Sequence, residues 1–108
     1  QLLWDGTTLG VIDLDGARLA EAALDLTNLR AHAELARLRG SLSARGLDSI
    51  IGWLDDAARR MPTSHARLNA YLDAARLRLI FVHSFRPGSR AWLDDWRDHA
   101  LGGLANTP

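Results

Sequence analysis

Two aspartates one residue apart, Asp13 and Asp15, follow the apolar run Leu9-Gly10-Val11-Ile12. Alternate residues of an extended strand share a face, so both carboxylates point the same way if the strand continues that far. Hard cations such as Mg²⁺ take oxygen ligands and need only one or two carboxylates from the protein. The pair therefore reads either as a cation site or as a solvated turn with a helix-capping acid. No other residue type adds an obvious reactive centre. Cysteine is absent, which removes thiolate chemistry and disulfides. His32, His65, His83 and His99 lack metal-type spacing and read as surface or core-edge residues.

The elements that must position the aspartates begin with a hairpin. Leu2-Leu3-Trp4 and Leu9 to Ile12 flank Asp5-Gly6-Thr7-Thr8, and an Asp-Gly pair suits a tight turn. An acidic loop, Asp13 to Arg18, follows. Helical periodicity then runs from Ala22 to Arg39, with Leu24, Ala31, Leu35 and Leu38 on one face and Leu26, Leu29, Ala33 and Ala36 on another. Two apolar faces predict burial on two sides, and Gly40 ends the helix. A second stripe comprises Leu47, Ile50, Ile51, Leu54, Ala58 and Met61, stopped by Pro62. Thr63 or Ser64 caps a third helix, which carries Leu68, Tyr71, Leu72, Ala75, Leu79 and Val82 and ends near Arg86-Pro87-Gly88. Its segment Leu77 to Phe85 is apolar almost all round, as expected of the central helix of a bundle. Ser89 is expected to cap a fourth helix bearing Trp92, Leu93, Trp96 and Ala100, with Gly102-Gly103 and Thr107-Pro108 fraying behind it. The expected class is α+β and mostly α: one domain over 1–108, with the hairpin and metal-binding loop in 1–19 and about four helices in 20–108.

Composition limits the partners. Thirteen Arg/Lys balance thirteen Asp/Glu, so there is no basic excess for displacing counterions from nucleic acid. No apolar run is long enough to span a bilayer, so no membrane partner is expected. The chain has no lysine, the residue a kinase uses on its nucleotide phosphates. Asp55-Asp56, Asp73 and Asp94-Asp95-Asp98 read as solvated helix faces paired with arginines at helical spacing. Trp53, Trp92 and Trp96 read as packing residues.

Three segments together carry a resemblance. They are Gln1-Leu2-Leu3-Trp4-Asp5-Gly6, Leu9 to Arg18 with Ile12-Asp13 at its centre, and Ala23-Leu24-Asp25-Leu26-Thr27-Asn28-Leu29. In order and spacing they resemble the aminoglycoside phosphotransferase family, and Leu68 to Pro87 resembles that family's C-terminal helices. The resemblance implies a partial protein-kinase-like C-terminal lobe from a cytoplasmic, Mg²⁺-dependent enzyme. Its reaction would move the γ-phosphoryl group of ATP, or another nucleoside triphosphate, to a hydroxyl of a small molecule. Asp13 would hold Mg²⁺, as the Asp of Asp-Phe-Gly does in protein kinases. Gln1 would stand where the family has a metal-binding asparagine, and Asp15 would touch a metal-bound water or cap the loop. Asp25 would brace the catalytic loop by accepting its backbone amides, with Asn28 in the same network. The base, in a His-x-Asp motif, would precede Gln1, so the chain reads as a C-terminal piece that is inactive alone. Ala20-Glu21-Ala22 departs from the family's Gly-Asp-Pro and leaves the start of the first helix open. The alternative is a non-catalytic relative or a helical interaction module in which Asp13-Leu14-Asp15 is a turn.

Overall fold

A computed structural model describes residues 2–105. Strands β1 (Leu2–Trp4) and β2 (Leu9–Val11) are followed by a 3₁₀ turn at Leu14–Gly16. Helices α1 (Ala22–Leu38), α2 (Ala44–Arg59) and α3 (His65–Ser84) come next, then a 3₁₀ turn at Pro87–Ser89 and helix α4 (Leu93–Ala105). This is the expected mostly helical α+β layout. No described helix is long and apolar enough to cross a membrane.

The strands pair antiparallel in the register Leu2↔Val11, Leu3↔Gly10 and Trp4↔Leu9. Their connection is a four-residue loop, with Gly6 at φ +102° and the Asp5 carboxylate as its organiser. Asp5 Oδ1 accepts from the Thr7 amide at 2.8 Å, the Thr8 amide at 2.7 Å and the Thr7 hydroxyl at 3.0 Å. Those bonds to Thr8 and Thr7 hold the Asp5 carboxyl below its ordinary value.

Three helix ends have a local cause. Arg39 caps α1 and Gly40 follows at φ +79°. The Gly40 amide reaches the Arg37 carbonyl and the Ser41 amide the Ala36 carbonyl, the bonding of a Schellman motif. Ser43 Oγ caps α2 on the Gly46 amide at 3.0 Å. Ser64, rather than Thr63, caps α3, accepting from the Arg67 amide at 3.3 Å. The Thr63 hydroxyl is buried without a hydrogen-bond partner. Helix α1 begins at Ala22 although Glu21 makes no capping bond. Glu21 instead forms an ion pair with Arg67, tying the start of α1 to the start of α3.

The core lies where α1, α3 and α4 meet. It consists of Ala31, Leu35, Leu72, Ala75, Leu79 and Trp96, with Leu38, Ile80 and Trp92 packed against it. The Trp96 indole N–H donates to the Arg76 carbonyl at 3.3 Å, so the ring is buried without an orphaned donor. Helix α2 leans on α1, and its stripe residues are half-buried at most.

Four expectations need correction. Ser89 does not cap α4, because a 3₁₀ turn intervenes and its hydroxyl lies buried against His83. Gly102 and Gly103 lie inside α4 rather than beyond it. Helix α1 is buried on two sides only in its second half, since Leu24 and Leu29 are exposed. Trp53 does not pack in the core, being 69% exposed on the solvent side of α2. Gln1 and Thr107-Pro108 lie outside the described residues.

Candidate functional site

Strand β2 stops at Val11, two residues short of Asp13. Asp13 then adopts φ 60°, ψ 54° and is the one described non-glycine residue with positive φ. Aspartate enters this left-handed region more readily than most residues, yet it still gives up conformational freedom there. The turn directs the chain into the Leu14–Gly16 turn, so Asp13 and Asp15 do not share a strand face. Both side chains are exposed, and Asp13 makes no capping hydrogen bond. No group of three or more acids or histidines placed to hold a metal occurs among the described residues. What the loop offers a cation is one or two solvent-facing carboxylates. That donor set fits Mg²⁺ only if phosphates and water supply the remaining ligands.

Asp25 is exposed in the first turn of α1, where the helix dipole favours a carboxylate. Asn28, one turn on, accepts from Arg78 Nη1 at 3.4 Å, a long bond from α3 to α1. Asp25, Asn28, Arg78, Tyr71 and Arg18 line an open groove of about 380 Å³. Asp25 and Asn28 therefore line one groove, and Asp13 and Asp15 do not line it. The groove has acceptors, donors and an aromatic edge suited to a polar segment, and its floor is Ala74 and Ala75 of α3.

The most elaborate polar arrangement was not legible as a site in the sequence. Glu34 is buried at 7% exposure on α1, one residue before the core Leu35. Arg76 of α3 grips it with two bonds, Nε to Oε2 and Nη2 to Oε1, each 2.8 Å. Arg30 reaches Oε1 at 3.2 Å from one turn back, and His99 Nε2 of α4 reaches Oε2 at 3.2 Å. Asp73 lies against Arg76 at 3.4 Å. Burial pushes the Glu34 carboxyl up, but Arg76, His99 and Arg30 outweigh it and hold the group below the ordinary carboxylate value. Burial acts on Arg76 in the opposite sense, and Glu34 and Asp73 overcome it, so its pKa is raised. With its oxygens satisfied and its side chain enclosed, Glu34 is built to join three helices rather than to move a proton. The one signal in the sequence was an acid on the apolar stripe of α1, four residues after Arg30.

A second buried pair joins the end of α3 to the turn before α4. His83 Nδ1 and Ser89 Oγ are 3.3 Å apart, and the imidazole meets Trp92 edge to face at 4.9 Å. Desolvation, then Arg86, Arg39 and His32, lowers the His83 pKa. The pair resembles a base and a nucleophile, but Ser89 is 3% exposed and lines none of the grooves described here. The remaining acids behave as solvated helix faces: Asp56 pairs with Arg59, and Asp94 with Arg97 at 3.1 Å. No family model, curated protein or solved structure matches this chain.

Proposed function

We propose that this chain is the C-terminal part of an ATP-dependent, Mg²⁺-requiring phosphotransferase acting on a hydroxyl of a small molecule. The observation that carries the reading is the backbone of Asp13. A non-glycine residue held at positive φ, at a strand end, with its carboxylate free to face solvent, is the kind of local strain that functional loops retain. The metal would supply charge neutralisation at the transferring phosphoryl group. Asp13 presents the cation-facing carboxylate just past the end of β2. Asp15, in the next turn, is a loop residue with a secondary role. Asp25 and Asn28 present acceptors on the α1 side of the groove, where they brace a backbone segment carrying the base. Gln1 is the second metal ligand of this reading, through its side-chain amide oxygen.

A sequence test comes first: the reading requires a His-x-Asp motif a few residues before Gln1 in the parent protein. Phosphorylation of a panel of small alcohols and aminoglycosides by that parent then separates the roles. Asp13→Ala is expected to lower turnover about 100-fold or more, the scale of losing one charge-stabilising group, and Asp15→Ala far less. A parent without the motif, or an Asp13→Ala protein with undiminished turnover, rejects the phosphotransfer reading. The second reading, a helical interaction module, is favoured by one observation: a long apolar face of α3 is exposed.

A further inference from the structure

Helix α3 buries Leu72, Ala75 and Leu79 toward α1 and α4, and its opposite side carries a second apolar face. Ala66, Ala70, Ala74, Leu77, Phe81 and Phe85 are all exposed, Phe81 at 67% and Phe85 at 76%. At helical spacing they fall within about 100° of one another, a stripe wide enough to pack on another helix. The N-terminal half of the stripe is all alanine, and the C-terminal half is all bulky. Along the alanines runs an open groove of about 750 Å³, walled by Leu77 and by Leu104 of α4.

Two whole-chain quantities show that the chain, hairpin included, is less compact than a monomer of its mass. The chain exposes 7893 Å², whereas a compact monomer of its mass exposes about 6,000 Å². The radius of gyration, 14.6 Å, likewise exceeds the value of about 13 Å for this length.

We propose that the α3 face is a dimer interface, and that its partner is a second copy of this chain packed antiparallel about a two-fold axis. The residue order supports this occupant. With the two α3 helices antiparallel and the axis between residues 75 and 76, Phe85 of each copy lies level with Ala66 of the other. Phe81 lies level with Ala70, and Leu77 with Ala74. One register thus sets every bulky side chain opposite a small one, three times on each side of the axis. A parallel arrangement stacks bulk on bulk and alanine on alanine. The two-fold operation also closes the assembly at two copies, whereas a head-to-tail contact would continue. This proposal stands apart from the phosphotransfer reading and shares with its groove only Ala74, at the groove floor.

Sedimentation equilibrium of the 108-residue chain is expected to give twice its 11.9 kDa mass at tens of micromolar. Phe81→Glu, at a position already exposed, is expected to weaken dimerisation at least about 100-fold with the helical circular dichroism unchanged, whereas Trp53→Glu on the far helix α2 leaves it unchanged. The chain has no cysteine, so single cysteines report the direction of packing. Ala74→Cys, close to the axis, is expected to form a disulfide-linked dimer under mild oxidation. Ala66→Cys is not, because antiparallel packing separates the two copies of that residue by about 28 Å along the helix. A chain that stays monomeric at 100 micromolar (roughly the upper range of such an experiment) overturns the proposal. So does a dimer that survives Phe81→Glu, one that cross-links equally at both positions, or association that grows past two copies.

Discussion

Glu34 is a carboxylate in a position where the stripe of α1 calls for an apolar side chain, and its partners explain why it is tolerated. Arg76, Arg30 and His99 satisfy both oxygens, so the cost of desolvation is met by charge-assisted bonds. Removing one side of a buried pair leaves the other uncompensated, and Arg76 Nε and Nη2 would lose their acceptor. Glu34→Ala is therefore expected to lower the unfolding free energy by about 3–5 kcal/mol in urea melts. The double replacement Glu34→Leu with Arg76→Met is expected to recover most of that loss, because two apolar side chains remove the desolvation along with the bond. A Glu34→Ala protein within experimental error of wild type would show that the cluster is solvated. His83 gives a pH signature of its own. Its folded pKa lies below the ordinary 6.5, chiefly through desolvation. As pH falls through that value the unfolded chain binds the proton first, so stability drops on acidification toward the folded pKa. Glu34 adds a loss of the same direction lower down, as pH falls below its ordinary 4.5 toward its depressed folded value. Urea midpoints between pH 7.5 and 5.5 should fall, and His83→Gln should flatten that slope; an unchanged slope assigns the proton uptake elsewhere.

At the scale of elements, the sequence was most readable where a side chain acts on its own backbone. Gly40 ends α1 because only a left-handed residue completes its carbonyl pairing, and both ingredients are local. Ser64 caps α3 for an equally local reason, and Ser64→Ala is expected to cost about 1 kcal/mol, measured as a shift in thermal midpoint. A smaller change than about 0.3 kcal/mol would mean that the Glu21–Arg67 pair, not the cap, fixes that helix start. The sequence was less readable where burial depends on distant partners. Ser89 had the residue type and spacing of a cap, but the preceding Pro87 began a separate turn and His83 claimed the hydroxyl. Trp53 sits beside the apolar stripe of α2, yet α2 packs chiefly on α1, so a side chain off the stripe stays in solvent. The candidate site divides in the same way. That Asp13 sits just past the hairpin was legible, and so was the placing of Asp25 and Asn28 one turn apart. The left-handed backbone of Asp13 was not, because periodicity says where a strand is but not how it ends. Arg76 and Glu34 are forty-two residues apart, and nothing local announces their contact.

For the whole molecule, the hairpin and the helices differ in what holds them. The helices share a core that reaches 0% exposure at Ala31 and Trp96. The hairpin has no such seat: Leu2, Leu3, Trp4, Leu9 and Val11 are each at least 55% exposed, and neither face rests on the helical core. Two strands of three residues, held by their own ladder and the Asp5 loop, lie at the limit of what a hairpin sustains in water. Opening them exposes little further apolar surface, so the free energy of opening is close to zero and uncoupled from global unfolding. In native-state hydrogen exchange, the amides of Leu3 and Gly10 are expected to exchange nearly as fast as those of an unstructured peptide. Amides of Leu35, Leu79 and Trp96 should require global unfolding and slow by several orders of magnitude. Asp13 is carried by the weaker of these two parts, so under the phosphotransfer proposal a cation held by the loop would be linked to hairpin order. Under that proposal, millimolar Mg²⁺ with a nucleotide is expected to slow exchange at Leu3 and Gly10 and leave Leu79 unchanged. Strand amides protected to the same degree as the core in the free chain would mean that the hairpin is docked and that loop and bundle unfold together.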